Sequence, residues 1–182
     1  MNFLRIRKLV YTALYLAIAM VLPFLTGQIP QIGAMLSPMH IPVLLCGFMC
    51  GWPWGLAVGF IAPLLRSVLF GMPVLFPAAV AMAFELAVYG GMSGLLYRLL
   101  PRKPWAVYAA LIITMIAGRV VWGLARCALL GFGAPFTFKM FVAGALLDAI
   151  PGIILHLVLI PAVMLALGKT GLVPFRTKTN EE

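Results

Sequence analysis

Apolar residues fall into long blocks separated by glycine, proline and basic positions, a pattern that predicts an all-α integral membrane protein, a bundle of six transmembrane helices. The first block runs from about Leu9 to Leu25 and is followed by a charge-free segment, Thr26 to Pro38. The second, His40 to Cys50, is short and turns at Gly51-Trp52-Pro53-Trp54 into the third, 54–70. Proline at 53 cannot continue the second helix but suits the first turn of the next, so the break is placed there. Gly71-Met72-Pro73 makes another turn; the fourth block covers Leu75–Leu99, the fifth Trp105–Leu130 and the sixth Phe138–Leu167.

Composition sharpens this picture. The chain is 64% hydrophobic and 9% charged, with mean hydropathy +1.13, whereas soluble domains average about 25% charged residues. A crossing helix needs about 20 residues, so six would use about 120 and leave only short connections. One membrane domain, 1–182, is expected. The first block follows Arg5, Arg7 and Lys8 in the manner of a signal peptide, but Thr26 to Gln31 offers no small-residue cleavage site, so it is read as a retained span.

The net charge of +9 would suggest nucleic acid in a soluble protein; here it sets topology, and no nucleic-acid partner is expected. Arg5, Arg7 and Lys8 precede the first block, Arg98, Arg102 and Lys103 lie between the fourth and fifth, and Lys169, Arg176 and Lys178 follow the sixth. Six crossings put all three clusters on the cytoplasmic side, with both termini. Trp52, Trp54 and Trp105 then lie at the inner interface, while Thr26–Pro38, Gly71–Pro73 and Gly131–Thr137 form an external mouth.

Against this background the polar residues stand out. Ionisable groups in lipid are costly and normally face a protein interior or a wet cavity, which makes them site candidates. Glu85 lies about mid-depth in the fourth block and needs a cationic partner or a raised pKa; a binding role and a structural pair with an arginine both fit. Arg66 fits two readings equally, a ligand-binding group or a snorkelling arginine. Arg119 and Arg126, seven apart, share one face of the fifth helix. Asp148 precedes Pro151, where a kink would free carbonyl groups. Counting Arg66, Arg119, Arg126 and Lys139 against Glu85 and Asp148 leaves two basic groups that an anionic substrate would balance. His40 either contacts ligand or bonds its own loop, His156 fits an interhelical hydrogen bond, and Gln28 and Gln31 lie in the first external segment.

Small residues point to close contacts. Gly47, Gly51, Gly55 and Gly59 recur every four positions and are read as packing the second helix on the third, whereas Ala13 and Ala17 make a smooth stripe on the first, suited to a partner helix or to internal packing. Cys46, Cys50 and Cys127 sit in apolar surroundings as small hydrophobes, and nothing beside them completes a metal site. There is no Gly-x-Ser-x-Gly turn, no His-Glu-x-x-His and no phosphate-cradling loop with Gly-Lys-Ser/Thr. No enzyme activity and no cofactor are expected, and active uptake would need an ion gradient or an energising partner.

The order of these features resembles the substrate-binding S components of energy-coupling factor (ECF) transporters. The residues that carry the likeness are Ala13-x-x-x-Ala17, the run Met39-His40-Ile41-Pro42-Val43-Leu44-Leu45-Cys46-Gly47-Phe48-Met49-Cys50-Gly51 with Gly55, Gly59 and Pro63-Leu64-Leu65-Arg66, then Met82 to Gly90 and Ile150-Pro151-Gly152, over about 8–168. The resemblance implies a bundle in the bacterial cytoplasmic membrane that captures a vitamin-like molecule through the loop after the first span and the outer parts of the fourth to sixth. It also implies docking through Ala13 and Ala17 onto a transmembrane coupling protein joined to two ATP-binding-cassette (ABC) ATPases. Gln31, His40, Arg66, Glu85, Arg119, Arg126 and Asp148 are the candidate substrate contacts. Two other readings stand beside it: a small ion-coupled transporter using Glu85 and Asp148, and a noncatalytic membrane assembly subunit.

Overall fold

The computed structural model describes residues 3–26, 36–101, 103–130 and 150–169, and all regular structure within them is helical. Helix α1 (Phe3–Val21) tightens into a 3-10 turn, Leu22–Thr26; α2 is His40–Cys50 and α3 is Trp52–Phe70. A π turn, Leu75–Ala79, leads into α4 (Val80–Leu99), followed by α5 (Pro104–Leu130) and α6 (Ile150–Lys169). The first part of the sixth predicted block, from Phe138, lies outside the described residues.

Five stretches are long and apolar enough to cross a membrane: Arg5–Leu25, Trp52–Phe70, Leu75–Leu99, Trp105–Leu130 and Ile150–Gly168. Helix α2, with 11 residues, reaches only about 16 Å at 1.5 Å per residue, roughly half of a hydrocarbon core of about 30 Å. It is buried along nearly its whole length by its neighbours. Its start inside the bundle is made possible by local bonding: the His40 and Ile41 amides donate to the Ser37 and Pro38 carbonyls, and the third residue, Pro42, has no N–H to leave unpaired.

The break between α2 and α3 falls where the proline placed it. Gly51 has φ +98°, a backbone that side chains rarely adopt. Its amide closes α2 on the Gly47 carbonyl, its own carbonyl accepts from Gly55 in α3, and Pro53 sits in the first turn of α3.

Helix α4 packs on α2, α3 and α5, and this contact uses the glycine ladder differently from the sequence expectation. Gly55 does approach Gly47, but the closest surface is α4: a Cβ on Gly47 or Gly55 would strike the Gly90 carbonyl, and one on Gly59 the Leu86 carbonyl. Gly90 and Gly94 complete the fit from the other side. The ladder was visible as a local repeat, while its receiving surface lay far along the chain.

Contact pairs give the helix directions. Met20 meets Arg66 and Phe24 meets Phe70, so α1 and α3 run the same way. Gly55 meets Gly90 and Gly59 meets Leu86, so α4 opposes α3. Glu85 meets Arg119 and Tyr89 meets Met115, so α5 opposes α4. Arg5, Arg7, Lys8, Arg98 and Lys103 therefore gather at one end, here termed the basic end, with Trp52, Trp54 and Trp105. Outward faces are apolar: Val10, Leu14 and Val21 on α1, Val68 on α3, and Ile112 and Ile116 on α5 are all exposed. Such a surface fits lipid, and the chain is a multi-pass membrane protein.

Candidate functional site

The polar residues of α2, α4, α5 and α6 converge about halfway along the bundle. Glu85 on α4 is 1% exposed. Its Oε1 lies 3.1 Å from Nη1 of Arg119 on α5 and 3.6 Å from Nε2 of His40 at the start of α2. The Arg119 contact is an ion pair without hydrogen-bond alignment, so Oε1 has no hydrogen bond among the described residues. Tyr89, one turn beyond Glu85, packs edge-on to His40 with ring centroids 5.0 Å apart and donates from its hydroxyl to the Met115 carbonyl at 3.5 Å. Gly118 gives the Tyr89 ring its space, since a Cβ there would overlap it.

His156 on α6 joins the same group. Its ring stacks on His40 at 5.8 Å between centroids and an interplanar angle of 28°. The hub of the two histidines is the Ser37 carbonyl, which accepts from the His40 amide at 3.0 Å and from its ring Nδ1 at 3.1 Å. Ser37 also hydrogen-bonds His156 through its backbone. Ser37 has φ +45°, an uncommon backbone for a non-glycine residue, of a kind that clusters at functional sites.

Beside this cluster, between α1, α2 and α6, lies an apolar hollow of about 280 Å³ lined by Tyr15, Leu22, Ile41, Leu45, Leu155 and Leu159, among others. Ile41 and Leu155 are the chain neighbours of His40 and His156. The hollow's own lining is apolar and includes none of His40, Glu85, Tyr89, Arg119 and His156, which stand behind its wall; small-molecule sites combine apolar walls for affinity with few polar groups for orientation.

Of the sequence candidates, Glu85, Arg119 and His40 are brought together. Arg66 is placed apart, at the end opposite the basic one: its guanidinium lies over Phe24 and Phe70, at 5.0 and 5.2 Å, and donates to the Met20 carbonyl near the end of α1. Arg126 lies over Trp122 at 5.2 Å. Aromatic faces and a carbonyl thus meet two of the basic groups that the charge count assigned to a ligand. Gln28, Gln31, Lys139 and Asp148 lie outside the described residues. Pro151 is the second residue of α6, and the proline inside that helix is Pro161. Ala13 and Ala17 are exposed on the outer face of α1. The reading from sequence missed Tyr89 and Ser37. Tyr89 was detectable, four residues from Glu85 and so on the same helix face; a backbone carbonyl such as that of Ser37 leaves no signal in the residue pattern.

A family model described as ECF transporter, substrate-specific component, matches residues 7–164. Comparison with curated proteins and with solved structures gives no match.

Proposed function

The chain belongs to the substrate-specific components of ECF transporters, and from that membership we propose that it captures a vitamin-like micronutrient outside the bacterial cytoplasmic membrane. A transmembrane coupling protein with two ABC ATPases completes the importer. The observation that carries this reading is the buried Glu85, Arg119, His40 and His156 cluster at mid-depth, beside the apolar hollow. Glu85, Arg119 and His40 are the inner contacts in this reading, and Gln31, Arg66, Arg126 and Asp148 remain candidates from the sequence alone. Ala13 and Ala17 form the docking stripe, supported by their exposure on α1, the least buried of the five long helices.

Mass spectrometry of the protein purified without added ligand tests the capture step. A bound small molecule is expected, and Ala17→Trp should keep it while abolishing ATP-dependent uptake, because a bulky side chain holds helices apart without adding charge. Failure to retain a small molecule counts against capture. Loss of ligand binding in Ala17→Trp would instead assign the stripe to internal packing, and uptake without any ATPase partner would favour an ion-coupled carrier.

We further read six crossings with both termini cytoplasmic, α2 and the residues before it making the second. Alternating directions of α3, α4 and α5 and the shared basic end support this count. In a background lacking Cys46, Cys50 and Cys127, single cysteines at Ile29, Met72 and Ala134 should react with an impermeant thiol reagent in intact cells, and one at Lys178 should not. External labelling at 178, or protection of the other three, contradicts the topology.

A further inference from the structure

Four buried ring, carboxylate and guanidinium atoms of the cluster have no hydrogen bond among the described residues: one is a donor, Nε of Arg119, and the other three, on His40, Glu85 and His156, point to the chemistry of what the cluster binds. A carbonyl oxygen only accepts, so the 3.1 Å contact between the Ser37 carbonyl and the His40 ring places the hydrogen on Nδ1. In the neutral ring, Nε2 then carries a lone pair. That lone pair faces Glu85 Oε1 at 3.6 Å, a second acceptor. Both atoms are buried and have no hydrogen bond among the described residues, and Nε2 of His156, stacked beside His40, is in the same condition. Buried polar atoms are nearly always satisfied, and an orphan group costs about 1–3 kcal/mol. Orphans converging from α2, α4 and α6 are therefore positions for groups that arrive with a ligand.

We propose that His40 Nε2 and Glu85 Oε1 together recognise an N–H-bearing nitrogen of the substrate, an amino group or amino-heterocycle, with His156 as a flanking contact. This rests on the reading of the chain as a substrate-capturing subunit and names the substrate class for that site. Two acceptors 3.6 Å apart can both be reached by one amino nitrogen, which carries two hydrogens; a hydroxyl has one and cannot serve both. A carboxylate would be the wrong group at this position. It would meet the Glu85 carboxylate and the imidazole lone pair; the Arg119 Nη1 is held by Glu85 at 3.1 Å, and its orphan Nε is left for an acceptor elsewhere on the substrate. The Glu85–Arg119 pair is internally neutral, so a donor needs no net charge to enter.

The chain contains two histidines, which makes a direct test practical. In His156→Gln, ¹⁵N-histidine magnetic resonance of the dialysed protein in lipid nanodiscs at pH 7 reports on His40 alone. The expected spectrum has a protonated Nδ1 and a bare, pyridine-type Nε2. Adding 4-aminopyrimidine, an amino-heterocycle that is neutral at pH 7, should shift Nε2 to a hydrogen-bonded position, and benzoate at the same concentration should leave it unmoved. The same titration with native His156 present should give the same Nε2 shift. Protons on both His40 nitrogens in the free protein would mean that the ring already bonds Glu85, which overturns the proposal. So would an Nε2 that 4-aminopyrimidine leaves unmoved, or that benzoate moves equally. A bound small molecule in the purified protein alongside either negative result would leave substrate capture standing and remove donor recognition alone.

Discussion

Glu85→Gln is expected to destabilise the folded protein by about 3–5 kcal/mol, the usual cost of removing one member of a buried ion pair. The loss arises from what remains: Arg119 keeps its charge 17% exposed, with no carboxylate beside it among the described residues. Arg119→Met leaves the converse orphan, a Glu85 carboxylate that is 1% exposed. The double variant removes both charges and should be more stable than the sum of the two losses predicts, by about 0.5–3 kcal/mol, because the residues act as one unit. Denaturant unfolding in detergent micelles, read for the four proteins of the cycle, measures this coupling. Ligand affinity in the same variants separates the roles. If Arg119→Met abolishes binding while Glu85→Gln spares it, Arg119 meets ligand directly; full additivity with unchanged affinity removes both residues from the site.

Gly90→Val is expected to be at least as damaging, for a steric reason. A Cβ at Gly90 would overlap the carbonyl group of Gly55. Backbone cannot rotate away as a side chain can, so α3 and α4 would have to separate, and the α2 contact through Gly47 would open with them. Overpacking ordinary cores costs about 1–3 kcal/mol, and the rigid obstacle here places Gly90→Val at or above the top of that range. Size-exclusion chromatography of the detergent-solubilised protein should show loss of the monodisperse species. Gly91→Ala is the comparison: its nearest neighbour is the Leu56 side chain at 3.4 Å, ordinary contact with a movable group. A change of less than about 0.5 kcal/mol is expected there. Equal damage at both positions would show that the close approach at Gly90 does not explain the loss, since Ala and Val both favour a helix more than Gly does.

The two variants bear on different parts of what the residue order reveals. Glu85 was identifiable as a site candidate because a carboxylate at mid-span has few tolerable environments. Its partner was open, since Arg66, Arg119 and Arg126 all lie in or near spans. The answer depended on helix packing: α4 and α5 run antiparallel and bring Arg119 to Glu85, whereas Arg66 faces the end of α1 and settles over Phe24 and Phe70. Counting charges along the chain treats cations and anions as the only partners available. Aromatic rings and carbonyl groups satisfy guanidinium equally well once the fold brings them near.

The sequence by itself determined the membrane class, because burying the few charges and solvating so much apolar surface admits no soluble fold. It also determined the α2–α3 break, since the proline and Gly51 act within a few residues. Family membership was legible for a similar reason: the order of short motifs survives in linear form. Tertiary structure alone decided that α2 starts inside the bundle, that the glycine ladder fits against Gly90 and Gly94, and that the Ser37 carbonyl, His40, Glu85 and His156 form one cluster. Those outcomes depend on which helices meet and at what depth. That is set by the summed packing of distant surfaces, which no local pattern of residues encodes.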